Sequence, residues 1–546
     1  LLLRGFSPLP PPPPEPARKR KRTGRERRWW TEERGQPLGV VKHGFIISRE
    51  RREVVDTIIN QPTINAPSAP LIFGTTAAST ETSVQALSEA VDTAWILLGA
   101  VMVFFMQAGF AMLEVGSVSI KNTKNILVKN IGDSAMGAIG WWLIGNGLAF
   151  GETTGGFIGT SGFALKSEDL YGTTSGEFLP LGYAQWLFQW AFAASATTIV
   201  SGAMAERATF GAYVLHSFLI TTFIYPVVAH WAWSAEGWAS PWGADEDELL
   251  FGCGVIDFAG SGVVHMTGGM ASLMGIFILG PRAGRFNEDG TNNTMPQQSA
   301  VLQARLNPFF GGGTLGSFML WWGWLGFNAA SVPSFVAMPA IAAKVMGVTV
   351  IGGSSAGISS LVLFKLSCGY WDVGNATNGI LAGLVSITGG CGTYEPEAAF
   401  VVGVVGGLVY YLSSNFLVKI RLDDVVNAAP VHLFGGMWGL TAAGLFSTKF
   451  SYSIVYFEDR TDKCAGLLYG GSGRSLAANL VFLLSVTVWV GLASLVLFIV
   501  TKLTIGIRVS KQQELAGMDD SKHGGQTYPE LLPGIKAMDR AGGSYG

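Results

Sequence analysis

Charge is scarce in this chain. Only 14% of its 546 residues are Asp, Glu, Lys or Arg, against about 25% in a soluble domain, and the mean hydropathy is +0.36. That shortage excludes an ordinary soluble domain and points to a polytopic membrane protein. The net charge of −2 leaves no basic excess with which the chain as a whole could hold nucleic acid. Cysteine is sparse too. Cys253, Cys368, Cys391 and Cys464 form no CxxC or other metal spacing, so no zinc site is read; a disulfide between Cys253 and Cys464 stays open. No apolar run of membrane-span length occurs before about residue 92, and Leu1–Leu3 is too short for the apolar core of a signal peptide.

Residues 1–56 differ from everything after them. Leu9–Pro14 is a proline run and Arg18–Arg28 is strongly basic. A basic run can be a nucleic-acid patch, but a disordered tail or upstream sequence outside the mature protein fits better, since the chain begins at Leu1 rather than Met. Residues 57–90 are rich in Ser, Thr, Ala and Pro. The expected organisation is a disordered or non-native leader over 1–90, a transmembrane domain over 91–502 and a cytoplasmic tail over 503–546.

From Asp92 onward, hydropathy predicts eleven spans: 92–115, 126–150, 183–204, 209–231, 257–280, 309–330, 338–364, 375–392, 396–418, 430–448 and 475–502. With the N-terminus outside, the inside loops carry Lys121, Lys124, Arg207, Arg282, Arg285, Arg305, Lys365, Lys419 and Arg421. The outside loop 232–256 carries Glu236, Asp245, Glu246, Asp247 and Glu248 and no Lys or Arg. The positive-inside rule therefore places the N-terminus outside and the C-terminus in the cytoplasm. The sequons at Asn292 and Asn375 fall inside and are expected to stay bare.

Glycine, by contrast, is abundant at 73 residues, as close-packed membrane helices require. It clusters around a repeat: Val264–Met270 and Val431–Met437 both read VHxxGGM. Each copy puts one His in an apolar, glycine-rich span. An odd number of spans with equivalent motifs on the fifth and tenth implies two inverted five-helix repeats plus an eleventh helix. Ionisable groups at membrane depth are costly and usually face a cavity with a task. Asp257 lies eight residues before His265, about 12 Å along the axis if the stretch is helical.

Trp233 ends the fourth span beside an acidic loop with three further Trp, Trp231, Trp238 and Trp242. Such a residue is often an interface anchor, yet a Trp face at a pore mouth also binds a small cation for about 0.5–2 kcal/mol. Ser331 ends the sixth span and can add a hydroxyl acceptor. Phe188 and Phe192 share a helix face, and Phe327 stands in WLGFNAAS. Packing alone accounts for such spacing; the functional alternative is an aromatic gate over a tube that passes a neutral hydrogen-bonding molecule and excludes hydrated ions.

The strings QAGFAMLEVGSVSIKNTKNILVKN at 107–130, FQWAFAASATTIVSGAMAER at 188–207, DFAGSGVVH at 257–265, WLGFNAAS at 324–331, DDVVNAAPVH at 423–432 and GMDDSKHGG at 517–525 resemble the ammonium transporter, methylammonium permease and Rhesus family. The resemblance spans about residues 92–530. It implies an all-α membrane protein with one pore per subunit of a homotrimer, set in the plasma membrane, taking up ammonium or methylammonium without cofactor or metal. By matched position it implies Phe192 and Phe327 as the gate, Trp233 and Ser331 as the outer ammonium site with Asp257 as its structural carboxylate, and His265 and His432 as the pore histidines. Phe188, Gln189, Trp324 and Asn328 would stand beside the pore. Ser521 matches a Thr that is phosphorylated in plant relatives. Two positions depart from many members, Glu114 after QAGFAML and Asn427 before the second VH pair; both are expected away from the pore core.

Three functions follow. The first is transport: capture of ammonium, deprotonation, and passage of ammonia along the histidines, with the proton carried separately. The second is an ammonium sensor with little flux, against which the tail of 44 residues carries no appended signalling domain. The third, a two-His metalloenzyme, lacks a third ligand.

Overall fold

The computed structural model describes residues 77–153, 155–166, 182–243, 245–287, 312–527 and 529. The expectations for residues 1–76 and for the sequon at Asn292 lie outside them. The described chain is helical, with one isolated bridge between Ala208 and Arg508 in place of a sheet. Helix is what a lipid environment demands, because it satisfies every backbone donor within the segment.

The longer helices are α1 Ala77–Ser117, α2 Thr123–Gly140 extended through Trp141–Gly145 and Asn146–Phe150, α3 Gly182–Ala203, α4 Phe210–Trp233 and α5 Ser261–Leu279. They continue with α6 Gly312–Ala329, α7 Pro339–Cys368, α8 Val373–Thr388 and α9 Pro396–Lys419. Then come α10, formed by Ala429–Phe434 and Gly435–Phe446, and α11 Arg474–Thr504. Six of these are long and apolar enough to cross a membrane by length and composition.

Two expectations are corrected. Residues 77–90 are not a loose lead-in but the start of α1. Gln85 donates to Glu89 and Thr93 donates to the Glu89 carbonyl, each one turn apart, so local helix bonds outweigh the Ser/Thr composition. Asp257 is not helical either. The chain enters α5 only at Ser261, after Gly260 at φ 103°. A Cβ there would lie 3.0 Å from the Trp233 ring, so glycine is required both for the turn and for the approach.

Four helices contain a turn of π-helix: Trp141–Gly145, Ile220–Ile224, Ser261–Met266 and Ala429–Phe434. Pro226 follows the second and Pro430 sits in the fourth, each lacking the N–H that an α-helical ladder would use. Such turns often mark functional positions; two of them carry His265 and His432.

On one side of the bundle, which we call the tail side, loops and tail are knitted by buried charges. Arg207 donates to the carbonyls of Ala203, Ala205, Gly280 and Asp423. Arg282 pairs with Glu206 at 2.5 Å and with Asp423 at 2.8 Å. Burial alone would raise the Asp423 carboxyl, but its bonds to Arg282 outweigh that and hold it down at about 2. The opposite side is tied by a disulfide between Cys253 and Cys464, 211 residues apart in sequence. It closes the pairing that the sequence left open.

Candidate functional site

The buried carboxylate of Asp257 accepts from the backbone N–H groups of Gly262 and Val263, at 3.0 and 2.9 Å. It thus caps the π-turn that carries His265. The second half repeats the device: Asp424, eight residues before His432, accepts from Ala429 N–H at 2.8 Å. Asp424 was missed in the sequence, although the shared D-x7-H spacing was there to find.

The glycines of the repeat explain themselves by contact. A Cβ on Gly269 would lie 2.3 Å from the Leu433 nitrogen, and one on its equivalent, Gly436, would lie 2.5 Å from the Ser261 carbonyl. Each copy of VHxxGGM therefore presses its second glycine onto the π-turn of the other. The two imidazoles meet there, with Nδ1 to Nδ1 at 3.3 Å and ring centroids 5.3 Å apart. Two Nδ1 atoms in contact share one proton, so one Nδ1 donates and the other accepts. The outward Nε2 atoms are then one acceptor and one donor, and His265 Nε2 has no hydrogen-bond partner among the described residues.

A column of rings leads to this pair. Trp233 meets Phe192 edge to face at 5.8 Å, and its indole donates to the Asp257 carbonyl at 2.9 Å. Phe192 stacks on Phe327 at 3.9 Å and meets Phe188 at a tilt, 4.6 Å away. Phe327 stacks on His265 at 5.5 Å, and Trp324 at 5.1 Å. Beyond the pair, Phe110 lies 6.4 Å from His432. The rings of Phe192 and Phe327 are in van der Waals contact across the column.

The remaining candidates brace it. Trp324 donates to Thr388 Oγ1 at 2.9 Å. Asn328 donates to Thr349 and accepts from Thr388. Ser331 sits one turn from Phe327, donating to its carbonyl at 2.9 Å. Gln189 is buried in α3, its Oε1 without a partner among the described residues. The structure thus puts Trp233, Phe188, Phe192, Phe327, Trp324, His265 and His432 in one chain of ring contacts, with Asp257, Asn328 and Ser331 bonded beside it and Ser521 on the tail side. It also corrects one placement: Glu114 lines the same cavity as His432. Asn427 holds a positive φ of 59° and accepts from Ser414.

The tail is docked on its own chain. Asp519 is buried and accepts from Asn125 N–H at 3.0 Å, capping the first turn of α2. Lys121 and Lys124 donate to the carbonyls of Leu515 and Gly525. Ser521 is exposed, and its hydroxyl donates to the Gly517 carbonyl at 2.9 Å. Among the described residues no His, Cys, Asp and Glu group could hold a metal ion.

The family model described as Ammonium Transporter Family matches residues 94–528. The chain is similar to ammonium transporter 1 member 3 of Solanum lycopersicum, 40% identical over 81% of this chain and 94% of the relative. It is similar to ammonium transporter 3 of Dictyostelium discoideum, 39% identical over 80% and 94%. A solved structure described as a sensor Amt protein superposes with a TM-score of 0.69 at 29% identity, covering 80% of this chain and 99% of that one. Mep2 of Saccharomyces cerevisiae shares the fold at a TM-score of 0.64 and 24% identity, over 77% and 87%.

Proposed function

The chain belongs to the Ammonium Transporter Family and carries ammonium across a membrane, and on that premise we propose the route. Ammonium binds between Trp233 and Ser331, where a Trp face attracts a small cation for about 0.5–2 kcal/mol. Asp257 fixes the site from behind, through the π-turn it caps and the indole its carbonyl receives. The stacked Phe192 and Phe327 strip water from the cation, and bare charge is too costly to follow into hydrocarbon. Ammonia then passes His265 and His432, while the proton it leaves is taken by the acceptor Nε2 of the pair, the shared Nδ1 proton shifts across, and the other imidazole releases its Nε2 proton on the far side. The observation that carries this reading is the single column from Trp233 through Phe192 and Phe327 to the histidine pair.

The direction of travel follows from chemistry on the two sides. A disulfide is at home in an oxidising exterior, and the basic loops belong inside. Trp233 then faces outward, the tail lies in the cytoplasm, and the setting is the plasma membrane of the cell. Three such chains form a homotrimer with one pore each. Phosphorylation of the exposed Ser521 would add about −1.5 to −2 charge at pH 7 beside Asp519 and Asp520 and undock the tail from α2. Ser521→Asp then closes the channel and Ser521→Ala leaves it open. Mixed trimers of Ser521→Asp and wild-type chains carry less flux than their wild-type fraction; strictly proportional flux refutes the coupling.

The pore itself is tested with His265→Ala and His432→Ala. Each lowers methylammonium uptake or alters the charge moved per substrate without disturbing assembly; wild-type uptake and current in both would overturn the route. A second reading, an ammonium sensor with little flux, draws support from the likeness to the structure described as a sensor Amt protein. Negligible uptake by the reconstituted wild-type chain would favour it.

A further inference from the structure

Beyond the histidine pair the column opens into a narrow cavity on the tail side, with room of about 10 Å³ for a water-sized molecule. Its walls are apolar, Phe110, Ile199, Leu381 and Val431 among them, except for His432, Asn378 and the carboxylate of Glu114. Glu114 is 2% exposed. Its Oε2 accepts from Asn130 at 2.7 Å and from Ser201 at 3.2 Å, and neither donor is given to Oε1.

Behind Glu114 lies a buried set of charges. Lys129 and Asp133, one turn apart on α2, are fully buried, and Lys129 adjoins Asn130, the residue that donates to Glu114. Tyr213 donates its hydroxyl to Asp133 and lies with its ring 5.0 Å from Lys129 Nζ. Lys129 Nζ and Asp133 Oδ1 have no hydrogen-bond partner among the described residues. The next cation, Arg207, has its donors taken by backbone carbonyls. Two carboxylates therefore share one ammonium group. A buried charge without a counter-charge is costly, and the cavity is the approach by which a mobile positive charge of the right size can reach Glu114.

We propose that Glu114 is a second cation site, on the tail side of the histidine pair, holding an ammonium-sized monovalent cation in the cavity it shares with His432. Lys129 neutralises one of the two carboxylates, so the site holds a single charge and lets it go. The inference rests on the pore reading above, because the cavity is the continuation of that column. It makes the pore two-ended: Trp233 and Ser331 set affinity from one side, Glu114 from the other.

The test uses the full chain in proteoliposomes, with methylammonium flux recorded while ammonium is varied on either side at fixed pH. In the wild type, ammonium on the tail side modulates flux saturably. Glu114→Gln raises that half-saturation about tenfold, the loss of one charged contact, and leaves the opposite-side value unmoved; Glu114→Asp keeps it near wild type. Glu114→Gln leaves one buried carboxylate, Asp133, for the one ammonium of Lys129, so the buried charges stay balanced in that variant. Wild-type tail-side half-saturation in Glu114→Gln overturns the proposal. So does a wild-type chain whose tail-side dependence follows pH alone, since the charge is then met by a proton only. Failure of the pore reading looks different, appearing as wild-type transport in the histidine variants whatever Glu114 does.

Discussion

Replacing Gly269 with Ala is the sharpest probe of how the repeat builds the pore. The new Cβ would stand 2.3 Å from the Leu433 nitrogen and 2.8 Å from the His432 carbonyl carbon, where ordinary contact begins at 3.4 Å. Something must therefore move by about 1 Å, and both obstacles are backbone, with no flexible side-chain end to yield. The moving part is the π-turn that holds His432, while His265 sits one turn back along the helix that pushes it. The Nδ1 contact, now 3.3 Å, then opens beyond hydrogen-bond range. Overpacking costs about 1–3 kcal/mol of stability. The lost hydrogen bond costs about 0.5–1.5 kcal/mol, or roughly two- to tenfold in flux if the pair acts in the rate-limiting passage. Capture at Trp233 is untouched, so the external half-saturation stays at its wild-type value. The assay pairs methylammonium uptake with the thermal midpoint of the extracted protein. Gly211→Ala serves as the control, since nothing lies within 4 Å of a Cβ there. If Gly269→Ala matches that control in both measurements, the reciprocal packing of the two motifs is not what sets the histidine contact.

Trp233→Leu removes the cation–π face and raises the external half-saturation by roughly 5–30-fold, from about 1–2 kcal/mol; an unchanged value in concentration-dependent uptake sinks the capture role. Cys253→Ser, or reduction of the wild type, releases a tie across 211 residues and lowers the thermal midpoint by the equivalent of about 2–5 kcal/mol; equal midpoints with and without reductant would contradict it. The docked tail is acid-sensitive. Asn125 Nδ2 can only donate, so His523 Nε2, 2.8 Å away, accepts and the ring is neutral. Burial lowers the His523 pKa below 6.5, Asp519 opposes that shift, and Lys129 and Lys124 add to it. The free tail therefore binds protons first, so docking is full above pH of about 6.5 and weakens as pH falls below it. Protease access to the tail should rise between about pH 7.5 and 5.5 in the wild type and not in His523→Gln; parallel curves would refute the assignment.

Much of the column was legible in the chain. The doubled VHxxGGM singled out His265 and His432 by local spacing, whereas Phe192, Phe327 and Trp233 were marked by the family resemblance, since spacing alone fits packing or an interface anchor equally well. What stayed hidden depends on contacts between distant segments. Glu114 and His432 are far apart in sequence, on α1 and α10, and only the folded chain puts them on one cavity. Asp257 looked helical because its neighbours are apolar, and the left-handed Gly260 that ends that pattern is one glycine among many. The dock of Asp519 on α2 joins positions 125 and 519 through a single backbone N–H, which leaves no trace in composition.

Asp424 shows how a buried carboxylate can repeat for reasons of geometry rather than of ligand. Asp257 and Asp424 each stand eight residues before a histidine and each cap the π-turn that carries it. A π-turn widens the helix and frees backbone donors at its start; without an acceptor these would be buried and unmet, at about 1–3 kcal/mol each. The carboxylate is thus what allows an imidazole to be offered sideways from an apolar helix. The same logic separates the two ends of the pore. Near Asp257 the device sits beside Trp233, whose indole donates to the Asp257 carbonyl. Near Asp424 it sits among Arg207, Arg282 and Asp423, whose bonds fasten the tail-side loops. The histidine on α10 is therefore mechanically continuous with the surface that holds the tail, and the histidine on α5, through Asp257, with Trp233.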